Sequence, residues 1–400
     1  MIADADIAIV GAGVMGLALA YNLASDSRAA ERKRIVVVDG HYLAWGASGR
    51  NGGGVRQQWS TEMNVRLMQE SMDICAHFAK RMRINVWMRR GGYLFLARTQ
   101  AAARRLERNV AVQNRCGLGT QMIAPEEARA LVPELDTERT VAACYNATDG
   151  IVFPWPFLWG YAHAAAKLGV EIHTKTPVTA IERRGGKAGG GFRVETPAGS
   201  FTAERIVCAA GAWSPEVARL VGASLPNRPQ RHEILSTEPL KPFLKPMVTV
   251  SETGLYVSQS LRGELVGGIT LPDDPDQADQ AEGDGQVRLG SRLAFTTTMA
   301  RALVELMPRL GHVKVVRQWA GPYDVSPDGD PIVGELPDVP GFHVVCGFRG
   351  HGFMMAPVVA RHLAAHLQGG AAHEFLSAWT PARFATGAPP RTGGEDMFIG

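Results

Sequence analysis

Three glycines, Gly11, Gly13 and Gly16, stand in the spacing GxGxxG between an apolar run (Ile7, Ile9, Val10) and a helix-forming stretch at 17–24. Each meets a separate steric demand. Gly11 permits a tight strand-to-helix turn, and Gly13 lets the backbone come close to a pyrophosphate. Gly16 lets the helix lie flat on a sheet, so that N–H groups of the first helical turn, around Val14 and Met15, face phosphate charge. A second apolar run at 34–39 ends in an acid, Asp39, 28 positions after Gly11 and just before Gly40. A carboxylate there accepts hydrogen bonds from a ribose 2′-OH and repels a 2′-phosphate. The pattern reads as a dinucleotide-binding unit and argues against NADP.

Two further stretches carry the same kind of chemistry. Residues 47–59 hold Ser48, Arg50 and Asn51 beside Gly52 and Gly53, a glycine density no regular helix sustains. Exposed N–H groups and short polar side chains there suit a pyrophosphate or the polar edge of a flavin ring, and Val55 and Trp59 suggest that the loop is packed. Near the C-terminus an apolar run at 342–346 meets Gly347, Arg349, Gly350, His351, Gly352, Phe353 and Met354, followed by an amphipathic stretch at 356–367. Between them, residues 206–209 run into Ala210, Gly211 and Trp213, a small-residue turn before a helix opened by Ser214 and Pro215. Two such turns suffice for an ADP moiety, so a third implies a further ligand part.

The elements that must position these turns follow from periodicity. Helical spacing covers 61–83, 101–116, 125–131, 157–168 and 296–307, and extended runs cover 91–96, 170–173, 178–181, 233–236, 255–258, 265–269 and 313–316. His173 lies within a strand and reads as structural. An acidic loop is expected at 272–285, a glycine-rich hairpin turn at 185–191 and a loose tail at 384–400. The expected class is α/β, a Rossmann-like nucleotide domain from 1–90, 148–225 and 316–383. A second, α+β domain with a mixed sheet, from 91–147 and 226–315, would bind substrate.

Composition narrows the function. Four hundred residues can bury a large core, and with 46% hydrophobic and 20% charged residues the chain reads as an ordinary globular protein. A formal charge of +3 without like-charge blocks argues against a nucleic-acid role. Five scattered cysteines without CxxC or Cys/His spacing predict reduced thiols in the cytoplasm, no disulfide frame and no metal. Asp4 and Asp6 stand where a signal peptide carries basic residues, and no apolar run reaches the ~20 residues of a membrane span.

With its motifs IVGAGVMG, VVVD, ASGRNGGGVRQQW, IVCAAGAWS, SPDGDPIVG and GFRGHGFMMAP in order across 7–355, the chain resembles the D-amino-acid-oxidase/sarcosine-oxidase family of FAD enzymes. It looks closest to the sarcosine oxidase β-subunit branch, with the proline, opine and glycine dehydrogenase subunits. The resemblance implies a GR2-type FAD-binding domain. The ADP half would lie at Gly11, Gly13, Gly16 and Asp39, with Val178 at the adenine. Ser48, Arg50, Asn51 and Gly52 would line the pyrophosphate and flavin, and the turn at 347–354 would face the flavin pyrimidine edge. Trp319, Ala320, Gly321 and Pro322 occupy the segment where some members carry a flavin-linking Cys. Pro154 or Trp155 stands where others carry an FMN-linking His, so non-covalent FAD is expected.

The implied reaction is oxidation of an amino acid or secondary amine (opine, proline-like, sarcosine or glycine) by hydride transfer to flavin N5. Arg56, Arg262, Arg317 and Arg349 are candidate carboxylate forks, Arg56 first, and His351 and Tyr256 are placed near the reacting amine. Oxidases of the family carry a Lys where Met354 stands, and a second Lys would fall in 264–269, where there is none. That favours a dehydrogenase passing electrons to smaller partner subunits, with FMN or Fe–S as carriers. A stand-alone oxidase forming H₂O₂ and a flavin-holding, non-catalytic subunit remain the alternatives.

Overall fold

In the computed structural model the chain is described over residues 2–25, 33–185, 190–271 and 289–384. The acidic loop expected at 272–285 lies outside these residues, as do 186–189 of the glycine hairpin and 385–400 of the tail.

The strand Ala5–Val10 is central to a mostly parallel sheet. Ile35–Val38 and Gly199–Cys208 flank it in parallel, with Val10 opposite both Val38 and Cys208. Glu171–His173 extends one side; Phe342–Cys346 and then the antiparallel Ile332–Glu335 extend the other. Continuous apolar runs suit strands covered on both faces. Ile7 and Ile9 meet the helices Val14–Ser25, Pro154–Lys167 and Gly352–Leu367, whereas Ala8 and Val10 pack with Phe192 and Phe201 of an antiparallel hairpin on the other face. The helix expected at 157–168 starts at Pro154, because a proline at its first position presets φ and gives up an N–H no helical bond needs.

A second, nine-stranded mixed sheet runs beside the first. Its core strands are Arg228–Pro239, Glu264–Gly268, Leu255–Gln259, Met247–Val250 and Tyr93–Ala97, the last two parallel. One face is sealed by the helix Leu293–Leu306; the other carries Tyr93, Phe95, Ile234, Met247 and Tyr256. The short run expected at 313–316 is an eleven-residue strand, Val315–Val325, and it pairs in this second sheet. A domain division at 316 therefore cuts a strand that joins the two halves, since Asp324 and Val325 at its end pair with Arg349 and Phe348. Among the described residues no helix is long and apolar enough to cross a membrane, and no His/Cys/Asp/Glu group is arranged to hold a metal.

Gly16 shows how tightly the first turn is packed. A Cβ there would collide with the Gly11 carbonyl and lie 3.2 Å from Ile9 Cγ2. Gly16→Ala should therefore destabilise the protein by about 1–3 kcal/mol, the scale of a strained core insertion. The check is a melting temperature lowered in flavin-free and flavin-loaded protein alike. An unchanged flavin-free value would mean that the glycine serves the ligand and not the packing.

Candidate active site

The carboxyl ends of Ala5–Val10, Ile35–Val38, Gly199–Cys208 and Phe342–Cys346 open into one cavity of about 350 Å³. Backbone bonds fix their meeting point. Gly11 N–H donates to Val38 O and Ala209 N–H to Val10 O, both at 2.8 Å. Gly11 has φ 117°, and a Cβ would run into the Ala209 carbonyl. Asp39 ties the turn to the second strand: its Oδ2 accepts from Ala12 N–H at 2.7 Å and its Oδ1 from His41 N–H at 2.8 Å.

The residues expected from the first turn, Gly11, Gly13, Val14 and Met15, line this cavity, as do Asp39, Gly40 and Val178. Gly16 does not; it lies behind, between helix and strand. Ser48, Arg50, Asn51, Gly52 and Gly53 line the middle. Their loop is internally braced: Ser48 Oγ accepts from Val14 N–H at 3.0 Å, and Asn51 Oδ1 from Gly53 N–H at 2.7 Å. Arg50 donates to Gly46 O and lies over the Trp45 ring at 4.9 Å. Ala210, Gly211 and Trp213 complete the wall on the third strand.

The C-terminal turn supplies Arg349, Gly350, Gly352, Phe353 and Met354. Its helix begins at Gly352, not 356, so the glycines form the helix N-terminus themselves. Gly347 sits behind the wall, its N–H donating to Asp324 Oδ2, while Asn227 Nδ2 donates to Oδ1. Burial pushes Asp324 up to about 6 against these two bonds. Asp324 has no local sequence signature, yet it fixes where the turn stands.

The second sheet forms the opposite wall with Tyr93, His232, Tyr256 and Tyr323. His232 stacks on Tyr323 with centroids 4.5 Å apart and planes 9° off parallel, and its Nε2 lies 3.3 Å from Tyr256 Oη. The two phenols also hydrogen-bond each other. A Cβ at Gly268 would sit 2.8 Å from both His232 Nε2 and Tyr256 Oη, so glycine leaves room for the pair. His232 is partly open to the cavity but shielded from bulk water, and burial pushes its imidazole down to about 4. Tyr256 was expected here; His232, Tyr323 and Tyr93 were not.

Arg56 and His351 stand behind the wall. The Arg56 guanidinium lies 4.6 Å from the Trp59 ring centroid, donates to Gln58 O and approaches His351 Nε2 at 3.2 Å. Asp149 balances it: buried, it accepts from Gln57 N–H at 2.7 Å and Gln58 Nε2 at 3.0 Å. Burial raises this carboxyl to about 6, against the hydrogen bonds from Gln57 and Gln58 and the Arg56 charge. Arg56 is therefore turned away from the carboxylate-fork position expected of it. Arg262 is exposed and paired with Glu264 at 3.0 Å, Arg317 is exposed, and of the four candidate arginines only Arg349 reaches the cavity wall.

The donor set fits FAD. The helices Val14–Ser25 and Gly352–Leu367 meet the cavity with their N-termini and have no acid in the first turn, so both positive ends face ligand charge. Asp39 and Val178 would hold the adenosine, Gly11–Met15 the pyrophosphate, and Ser48–Gly53 with Arg349–Met354 the flavin.

The model of the DAO family, described as FAD dependent oxidoreductase, matches residues 6–366. Sarcosine oxidase subunit beta of Rhodobacter capsulatus is 29% identical over 371 residues, which cover 89% of this chain and 85% of that protein. Glycine oxidase of Geobacillus kaustophilus is 28% identical over 88% of this chain and 90% of its own. The crystal structure of L-proline dehydrogenase from P. horikoshii superposes with a TM-score of 0.87 at 27% identity, covering 97% of this chain and 99% of that one. The chain belongs to the DAO family of FAD-dependent oxidoreductases.

Proposed function

We propose that this chain is the catalytic, β-like subunit of a hetero-oligomeric dehydrogenase that oxidises an amino acid or secondary amine at a C–H bond next to nitrogen. The observation that carries this reading is the convergence of three glycine turns on one cavity whose opposite wall presents His232, Tyr256 and Tyr323. When bound, the flavin supplies the two-electron acceptor for that C–H bond.

The protein's own residues then set position and protonation. His232, Tyr256 and Tyr323 present neutral donors and acceptors from a rigid sheet, which suits holding a C–H group within the ~3–3.5 Å that hydride transfer needs. A substrate amine must be neutral to support the positive charge left by the hydride. The phenols and the neutral imidazole offer the ammonium form no charge to pair with, and Asp324, a carboxylate of that sheet on the cavity wall, is taken up by Gly347 N–H and Asn227. Opine, proline-like, sarcosine and glycine substrates all meet this description.

Transfer to a partner is favoured over transfer to O₂. Met354 stands where family oxidases carry a lysine, the stretch 264–269, where a second would fall, holds none, and among the described residues no lysine lines the cavity. The likeness to proteins named as sarcosine oxidase β subunits supports partner chains. So does an exposed aromatic surface at the start of Pro154–Lys167: Trp87 and Phe153, with centroids 5.7 Å apart, and Trp159.

Mixed anaerobically with candidate amines, the yellow protein should lose its flavin absorbance with at least one of them. Artificial dyes should then reoxidise it far faster than air. If no amine bleaches the flavin, the non-catalytic alternative holds; oxygen consumption matching dye reduction would instead mark an oxidase.

The pH dependence has a definite sign. His232 carries no proton well above its value of about 4, so it contributes no limb between pH 5 and 9. The rate of flavin reduction should rise with pH along a limb set by the substrate amine. That limb should move when an N-methyl substrate replaces an unsubstituted one and stay put in His232→Asn. A limb indifferent to the substrate would assign the proton to the protein.

Replacing Phe153 and Trp159 together by Ser should reduce the smaller chains that co-purify with the protein, measured by size-exclusion chromatography, while flavin content stays the same. Unchanged co-elution would remove this surface from the proposed interface.

A further inference from the structure

One wall residue has no task in the reading above. Tyr93 is 1% exposed, and its Oη is buried without a hydrogen-bond partner. Other buried side-chain atoms share that condition among the described residues, Thr249 Oγ1, Ser251 Oγ and Ser214 Oγ among them, but of that set only Tyr93 belongs to a residue lining the cavity. Buried hydroxyls in native proteins are almost always paired, so an orphan at the edge of a cavity leaves a donor for a ligand or a water.

The surroundings preserve that hydroxyl. Tyr93 opens the strand Tyr93–Ala97, opposite Met247 on one side and Asn146 on the other, so its ring is fixed on the cavity face. A Cβ on Gly54 would run into Oη, so the glycine after Gly53 keeps the hydroxyl's space clear. Burial holds the phenol far above its ordinary value, so it keeps its proton and remains a donor at every working pH. Of the two fixed charges that bear on it, the Arg56 guanidinium acts more strongly than the Asp149 carboxyl. A hydroxyl that keeps its proton can pair with an acceptor such as a carboxylate oxygen.

We infer that Tyr93 is a specificity-determining residue whose hydroxyl donates a hydrogen bond to the carboxylate of the substrate. This rests on the amine-oxidising reading and adds to it: the substrate is an amino acid rather than a simple amine. Its carboxylate is recognised by a neutral phenol with the Arg56 charge one layer behind, rather than by a guanidinium fork.

The test uses the flavin-loaded protein with its co-purifying chains, in wild-type form and as Tyr93→Phe, which removes one oxygen from a packed ring. Two unreactive probes, pyrrole-2-carboxylate and pyrrole, are titrated in and followed by the shift in flavin absorbance. The substitution should weaken pyrrole-2-carboxylate about tenfold, or about 1.4 kcal/mol, and leave pyrrole within about twofold. Equal weakening of both probes would show a merely structural role, and no change in either would show that the hydroxyl meets only water; each overturns the inference. Failure here is separable from failure of the functional reading, because loss of flavin colour with an amine is read independently of Tyr93. A carboxylate-selective effect in a protein that no amine bleaches would retain the site and sink the oxidation.

Discussion

Everything in this molecule depends on how closely four strand ends can approach one another. Val10, Val38, Cys208 and Cys346 end side by side, and the backbone bonds from Gly11 to Val38 and from Ala209 to Val10 leave no room for a side chain at position 11. With the Asp39 carboxylate pinning Ala12 N–H, the first turn, the second strand and the third strand form one rigid junction. An open parallel sheet binds ligands in the crevice beyond its strand carboxyl ends. Here that crevice is shaped by backbone, and so tolerates little variation in side-chain volume.

The second sheet works by a different rule. It contributes side chains: phenols and an imidazole held without charge face the cavity, with Asp324 and Arg349 at its edge. Further charge stands one layer back, where Arg56 and Asp149 face each other through the Gln57–Gln58 segment and Arg56 reaches His351. A cation in that position sets a field in the cavity without offering itself as a ligand. His351 immediately precedes the helix Gly352–Leu367, so the Arg56 contact also joins the second glycine loop to the third.

What the sequence made legible was whatever is local. The first turn, Asp39, the loop at 47–53 and the turn at 347–354 each announce themselves within a dozen residues, and all four reach one cavity. Tyr93, His232 and Tyr323 come from three strands far apart in the chain, and no spacing relates them before the sheet is formed. Arg56 was legible as a cation beside the ligand loop, but its direction was not, because that depends on Asp149 and Trp59 packing beneath it. The strand Val315–Val325 was expected only over 313–316, because the β-branched run there gives way to Ala320, Gly321 and Pro322. The neighbouring strand Phe348–Arg349 pairs only with Asp324 and Val325, so Pro322 lies on an open edge where its missing N–H breaks no ladder bond.

The two buried carboxyls, Asp149 and Asp324, show that this architecture is not the most stable one available. Each has a folded-state value near 6, raised by burial from an ordinary 3.8. Between those values the folded chain holds a proton that the unfolded chain has released. The stabilising balance is therefore full below about pH 4 and is lost as pH rises through 6, on the order of 3 kcal/mol for each group. Apolar residues there would avoid that penalty, but they would also release the loops. Asp324 takes the Gly347 N–H that sets the turn at 347–354, and Asp149 takes the Gln57 N–H that sets the segment after Gly53. Only an acceptor with two oxygens reaches both a loop amide and a second strut, Asn227 in one case and Gln58 in the other. Both carboxyls thus brace loops that shape the cavity at a cost in stability near neutral pH.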